Sequence, residues 1–170
     1  FVAEVASTFN EALLTRHFLS QDIAPDMRIY LICREIDNFR GTLYRQTMFA
    51  EFEYQVYKAM EGNEPLTLET FKKIYRDLLE RYFGSGVVLD DCLSLECLRI
   101  PHFYFSFYVY KYATGISAAY ALADRVISGG ETELNDYLGF LKSGGSKYPI
   151  DLLKSAGVDM LSPEPVKTAL

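Results

Sequence analysis

The sequence predicts an all-α fold. Apolar residues recur at helical spacing in segment after segment, and no stretch shows the two-residue alternation of a strand. The segments are separated by short breaks rich in Gly, Pro, Asn and Ser. About six or seven helices are expected over residues 1–170, forming a single α-helical domain.

Phe1 to Leu19 reads as the first helix, with Phe1, Val5, Phe9 and Leu13 on the helical period and Val2 beside them. Ser20-Gln-Asp22 closes it. Pro25 starts a second segment, Asp26 to about Phe39, with Met27, Tyr30, Leu31, Arg34 and Ile36 on an imperfect amphipathic face. Gly41 either breaks this segment or only bends it. Leu43 to Met60 carries Phe49, Phe52, Val56 and Met60 at helical spacing, and Gly62-Asn-Glu-Pro65 is a turn. Thr67 is the predicted N-cap of a helix to about Phe83, with Phe71, Tyr75, Leu78, Leu79 and Tyr82 inward. Gly84-Ser-Gly86 ends it, and Val87 to Leu98 reads as irregular.

Arg99 to Gly115 then packs His102, Tyr104, Tyr108, Tyr110 and Tyr112 together with Phe103, Phe105 and Phe107. Pro101 suits a first-turn position, and an Ala-rich continuation extends the predicted helix to about Ile127. On that helix Tyr104, Tyr108 and Tyr112 fall on one stripe, and Phe103, Phe107 and Tyr110 on a neighbouring one. Two readings stay open: an aromatic core helix whose hydroxyls find partners at its edge, or a catalytic wall with His102 and one or more phenols aimed at a substrate. Ser128-Gly-Gly130 stops the helix. Thr132 to Leu141 is a further short helix, Ser143-Gly-Gly-Ser146 a flexible loop, and Pro149 to Ala156 a last helix before a tail carrying Pro163 and Pro165.

With 170 residues, 49% hydrophobic and 24% charged, the chain is long enough for a hydrophobic core. A net charge of −6 argues against a nucleic-acid surface. No apolar run approaches the roughly 18 residues of a membrane span, so no membrane partner is expected. Cys33, Cys92 and Cys97 form no Cys-x-x-Cys pair, which favours reduced, packing thiols and a cytoplasmic location. The chain opens on Phe1 without Met, so the natural protein is expected to begin upstream. Glu4 and Glu11 lie seven apart, two turns along one face; a solvated side is their ordinary explanation, although their apolar neighbours leave room for one turned inward. His17 reads as structural or exposed. Gly144 and Gly145 either let a substrate backbone approach closely or form a plain loop.

Two of these stretches together resemble the zinc oligopeptidases of the thimet oligopeptidase and oligoendopeptidase F type. Phe-Val-Ala-Glu4-Val-Ala-Ser-Thr-Phe-Asn-Glu11 is similar to the segment that supplies the third zinc ligand and, seven residues later, a second acidic residue. Ile-Pro-His102-Phe-Tyr-Phe-Ser-Phe-Tyr108-Val-Tyr110-Lys-Tyr112-Ala-Thr-Gly115 resembles the His and Tyr substrate-contacting segment of the oligoendopeptidase F branch. Ser143-Gly-Gly-Ser-Lys-Tyr-Pro149 and Ala156-Gly-Val-Asp-Met160 are similar to that branch's C-terminal end. The resemblance implies Glu4 as a zinc ligand and Glu11 as the residue orienting a ligand histidine. It implies His102 with Tyr108, Tyr112 or Tyr110 as oxyanion donors, Tyr104 as a substrate contact, and one Zn2+ with oligopeptide substrates. The family's His-Glu-x-x-His helix is absent, since His17 and His102 are the only histidines. The chain is therefore expected to be the C-terminal part of the catalytic domain, partnered by the missing N-terminal part and inactive alone. The alternative is a non-catalytic α-helical module that binds a peptide or protein.

Overall fold

Helix is the only regular secondary structure among residues 2–170, which the computed structural model describes; Phe1 lies outside them. Eight α-helices follow in order: α1 (Val5–Ser20), α2 (Pro25–Asn38), α3 (Arg45–Glu61), α4 (Leu68–Phe83), α5 (Tyr110–Ser128), α6 (Glu131–Ser143), α7 (Pro149–Ser155) and α8 (Glu164–Ala169). A π-helical stretch, Phe39–Tyr44, lies between α2 and α3 and contains Gly41, which therefore does not break the helical run. Thr67 caps α4 as expected, its hydroxyl accepting from the Thr70 N–H at 3.2 Å. The extra helix beyond the predicted count is α8: Pro163 and Pro165 stand at its start, where a missing N–H is harmless.

The chain forms two compact units, one from Phe1–Leu43 with Lys111–Leu170 and the other from Tyr44–Tyr110. In the first, α5 is the centre. Gly115 through Ala123 are all buried, so the helix is enclosed on every side through its middle turns. Its small residues, Gly115, Ser117, Ala118, Ala119, Ala121 and Ala123, keep that helix slim, and Val5, Phe9 and Ala12 of α1 and Leu152 and Leu153 of α7 fill the same core. The Phe9 ring stacks on Tyr137 of α6 with centroids 3.7 Å apart. Polar ties fix the helices around this core. Glu35 of α2 accepts from the Tyr120 hydroxyl of α5 and from the Thr15 hydroxyl of α1 at 3.0 Å. The Arg125 guanidinium of α5 pairs with Asp136 of α6 at 2.8 Å. It also lies against Gly157, where φ is +83° and an added Cβ would come within 2.4 Å of Arg125 Nε.

In the second unit, α3 packs on α4, and α4 packs on a 3-10 stretch, Asp91–Leu98. Phe49, Phe52, Tyr75, Leu78 and Leu79 form the apolar contact, with Phe52 meeting Tyr75 edge-on at 5.2 Å. The buried carboxylate of Glu96 collects three donors: the Tyr75 hydroxyl at 2.7 Å, Arg99 at 2.7 Å and Arg45 at 2.5 Å. One acidic side chain so joins α3, α4 and the 3-10 stretch. Cys97 beside it is buried, and burial pushes its thiol up to about 11.

The long aromatic helix expected from about Pro101 to Ile127 does not form as one piece. Pro101–Tyr104 is a 3-10 turn, and α5 starts only at Tyr110. Phe107 stands at φ +54°, a left-handed value that a helix cannot contain. Tyr104, Tyr108 and Tyr112 therefore share no helical stripe, and neither do Phe103, Phe107 and Tyr110. Aromatic and β-branched residues have low helix propensity, and this run is made of little else. The segment Val87 to Leu98, read as irregular, contains the 3-10 stretch instead. On α2 the predicted inner face is also incomplete: Leu31 is buried, but Met27, Tyr30 and Ile36 are exposed.

Replacing Glu96 with Ala strands the buried Tyr75 phenol and is expected to destabilise the full-length protein by about 3 kcal/mol, read from its denaturation midpoint; an unchanged midpoint would show the node to be dispensable. Gly157→Ala is expected to cost about 1–2 kcal/mol through φ strain and displacement of Arg125, measured the same way. Iodoacetamide labelling of Cys97 at pH 8, mapped by mass spectrometry, should be at least about 50-fold slower in native than in urea-unfolded protein, because the thiolate is the reactive form.

Candidate active site

The stretch from Arg99 to Tyr110 is ordered without a helix because its neighbours supply what a helix would. Pro101 opens the 3-10 turn, and the Phe103 ring inserts between Phe49 at 5.5 Å and Phe52 at 5.0 Å. Val109 is buried at the far end. Between these apolar anchors, residues 105–108 are exposed and irregular. Two residues of α3 one turn apart reach this loop. The buried Glu53 carboxylate accepts the Phe107 backbone N–H. The Tyr57 ring stacks on Phe107 at 4.7 Å, and its hydroxyl shares a 2.7 Å hydrogen bond with Ser106. Burial raises the Glu53 carboxyl above the ordinary carboxylate range, and the Phe107 N–H partly offsets this.

Within this unit the structure brings two of the sequence-predicted residues together. His102 is half-buried, and its ring packs against Tyr108 with centroids 5.5 Å apart. Tyr108 and Tyr110 are both exposed on the same short segment. An imidazole and phenols on one short segment are side chains of the kind that can donate to a developing oxyanion. Tyr104 is turned to a different neighbourhood. Its hydroxyl donates to the Leu98 carbonyl at 3.2 Å, and its ring lines a cavity of about 400 Å3 with Phe52, Val56, Met60 and Phe71. His102 and Tyr108 are not among the residues that line it.

In the other unit, Glu4 is exposed at the end of the 3-10 turn that leads into α1. The Ser7 hydroxyl donates to its carbonyl at 3.0 Å and to its carboxylate at 3.3 Å. Glu11 is exposed two turns along α1, so neither acid is turned inward. Tyr112 is half-buried in the first turn of α5. Gly144 ends α6 at φ +51°, a conformation that favours glycine, and a Cβ at either Gly144 or Gly145 would meet nothing. His17 is exposed. Among the described residues no group of three or more His, Cys, Asp or Glu could hold a metal ion. Glu4 is a single accessible carboxylate, not part of such a group.

Glu53 and Tyr57 are the functional candidates that the sequence reading missed. The signal was present: Glu53 interrupts an apolar stripe of Phe49, Phe52, Val56 and Met60, and an acid there needs a partner.

The profile of peptidase family M3 matches residues 1–170. "Oligopeptidase PepF" of Bacillus subtilis is 51% identical over 169 residues, covering 99% of this chain and 25% of that protein. "Oligoendopeptidase F homolog" of Borreliella burgdorferi is 44% identical over 160 residues, covering 94% of this chain and 27% of that protein. The crystal structure of oligoendopeptidase-F from Enterococcus faecium superposes with a TM-score of 0.96 at 42% identity, over 99% of this chain and 32% of that one. The chain thus spans about a quarter of the length of these two sequence relatives. Aligned over its whole length in sequence, and matched in helix arrangement as well, the chain belongs to peptidase family M3.

Proposed function

We propose that this chain is the C-terminal part of the catalytic domain of a zinc-dependent metalloendopeptidase that hydrolyses short oligopeptides. The observation that carries the reading is the His102–Tyr108 pair, 5.5 Å between ring centres, presented on an exposed segment of a chain that matches the family end to end. The names of the relatives, oligopeptidase and oligoendopeptidase, support the substrate class.

In this reading Glu4 is one ligand of a two-His, one-Glu site whose histidines lie upstream of Phe1, with the catalytic base. Bound zinc would polarise the scissile carbonyl and bring the pKa of a water close to neutrality. Glu11, two turns along α1, orients a ligand histidine by accepting its distal N–H. His102 and Tyr108 donate to the carbonyl oxygen as negative charge develops on it, with Tyr112 and Tyr110 as further donors. A phenol keeps its proton at neutral pH and needs no partner to supply one. Tyr104 and the Gly144-Gly145 loop contact the substrate chain. The exposed apolar side chains of α2, Met27, Ile29, Tyr30 and Ile36, suit burial by the rest of the same protein. No helix among the described residues is long and apolar enough to cross a membrane, and Cys33, Cys92 and Cys97 are all free thiols. The free thiols suit a reducing, cytoplasmic compartment.

The decisive assay is hydrolysis of a quenched fluorescent oligopeptide by the full-length protein, before and after chelation and again with zinc restored. Activity lost and regained is the expected result. No cleavage across a diverse peptide library by folded, zinc-loaded protein would favour a binding module instead. Glu4→Gln should lower zinc content and activity together, with metal measured by elemental analysis. Tyr108→Phe should lower kcat about 100- to 1,000-fold while zinc is retained. If Tyr108→Phe and Tyr112→Phe both keep full kcat, the oxyanion donors lie elsewhere.

A further inference from the structure

We propose that Glu53 is a positioning residue: through the Phe107 amide its carboxylate fixes the loop that aims His102 and Tyr108. The inference rests on the peptidase reading for its catalytic half and on geometry for the rest. Glu53 is 4% exposed, yet its carboxylate is bonded to a backbone N–H of a loop, not to a cation. That N–H belongs to Phe107, which with Asn63 is one of the two non-glycine residues at positive φ among the described residues. A bulky residue is held in the left-handed region only where its surroundings over-determine it. Here the surroundings are specific: Glu53 takes the amide, and one turn further along α3 Tyr57 stacks on the ring and bonds Ser106. Phe107 directly precedes Tyr108, so its φ sets the direction in which Tyr108 leaves the loop.

Glu53 has no place in the chemistry itself. It acts on the reaction through the donors, and a displacement of about 1 Å in such a group can lower turnover by about 100-fold. Burial of Glu53, 4% exposed, limits the water that would otherwise compete for the Phe107 amide.

The test uses the full-length protein in three forms: wild type, Glu53→Gln and Glu53→Met. Glutamine keeps an oxygen for the amide, whereas methionine keeps the volume and removes the acceptor, so loss of packing is controlled. Two readouts are taken. Amide exchange at Phe107, resolved by mass spectrometry, should be at least about 10-fold faster in Glu53→Met and within about 3-fold of wild type in Glu53→Gln. Turnover should follow: kcat about 10- to 100-fold lower in Glu53→Met with KM within about 3-fold, and largely rescued in Glu53→Gln. Combined with Tyr108→Phe, Glu53→Met should add little further loss, since groups acting as a unit are non-additive. Unchanged exchange at Phe107 would overturn the proposal outright. Faster exchange with unchanged kcat, or full additivity with Tyr108→Phe, would overturn its catalytic half. An inactive wild type would defeat the peptidase reading and that half with it, while exchange still decides whether Glu53 holds the loop.

Discussion

The Glu96 carboxylate is the interaction on which the Tyr44–Tyr110 unit depends. A buried acid is costly unless its lone pairs are filled by donors, and here Arg45, Tyr75 and Arg99 fill them from three different segments. The Tyr75 hydroxyl is correspondingly held above the ordinary phenol range by burial and by the Glu96 hydrogen bond, so it remains a donor. Arg99 leads directly into Pro101 and His102. The node therefore fixes where the candidate catalytic segment starts, and the Phe103 ring, clamped by Phe49 and Phe52, fixes how it continues.

The Phe1–Leu43 and Lys111–Leu170 unit solves a different problem by different means. Its central helix carries small residues through its middle turns and is surrounded by aliphatic and aromatic neighbours, with polar ties such as Glu35 to Tyr120 and Arg125 to Asp136. Such a core sets helix position by close approach rather than by ion pairing. Glu4 inherits its place from that packing, because Val5 and Phe9, buried immediately after it, hold the first turns of α1.

Most of the helices were legible in the sequence because their signals are local. Thr67 caps where a cap was expected, Pro149 starts α7, and Phe49 and Phe52 are buried on the face that their spacing marks. What misled was the aromatic run. Tyr104, Tyr108 and Tyr112 have the spacing of a helical stripe, but the conformation there is decided by Glu53 and Tyr57, about 50 residues away in sequence. Periodicity cannot report a hydrogen bond of that separation. Of the candidate site, the residue types and their resemblance to a family were legible, and Glu53 was visible only as an acid out of place in an apolar stripe. The pairing of His102 with Tyr108 arose from the loop, not from a helix.

The buried Glu53 carboxyl has a further consequence, in proton linkage. Its pKa is raised in the folded state by burial, so between the unfolded value of 4.5 and that raised value the native protein binds more protons than the unfolded chain. Its contribution to stability is therefore full below the lower value and is lost as pH rises through the higher one. Once ionised, the latch is a local burden on folding that the rest of the unit must offset. An acid in this place thus ties the order of a loop to pH, which a glutamine holding the same amide would not do.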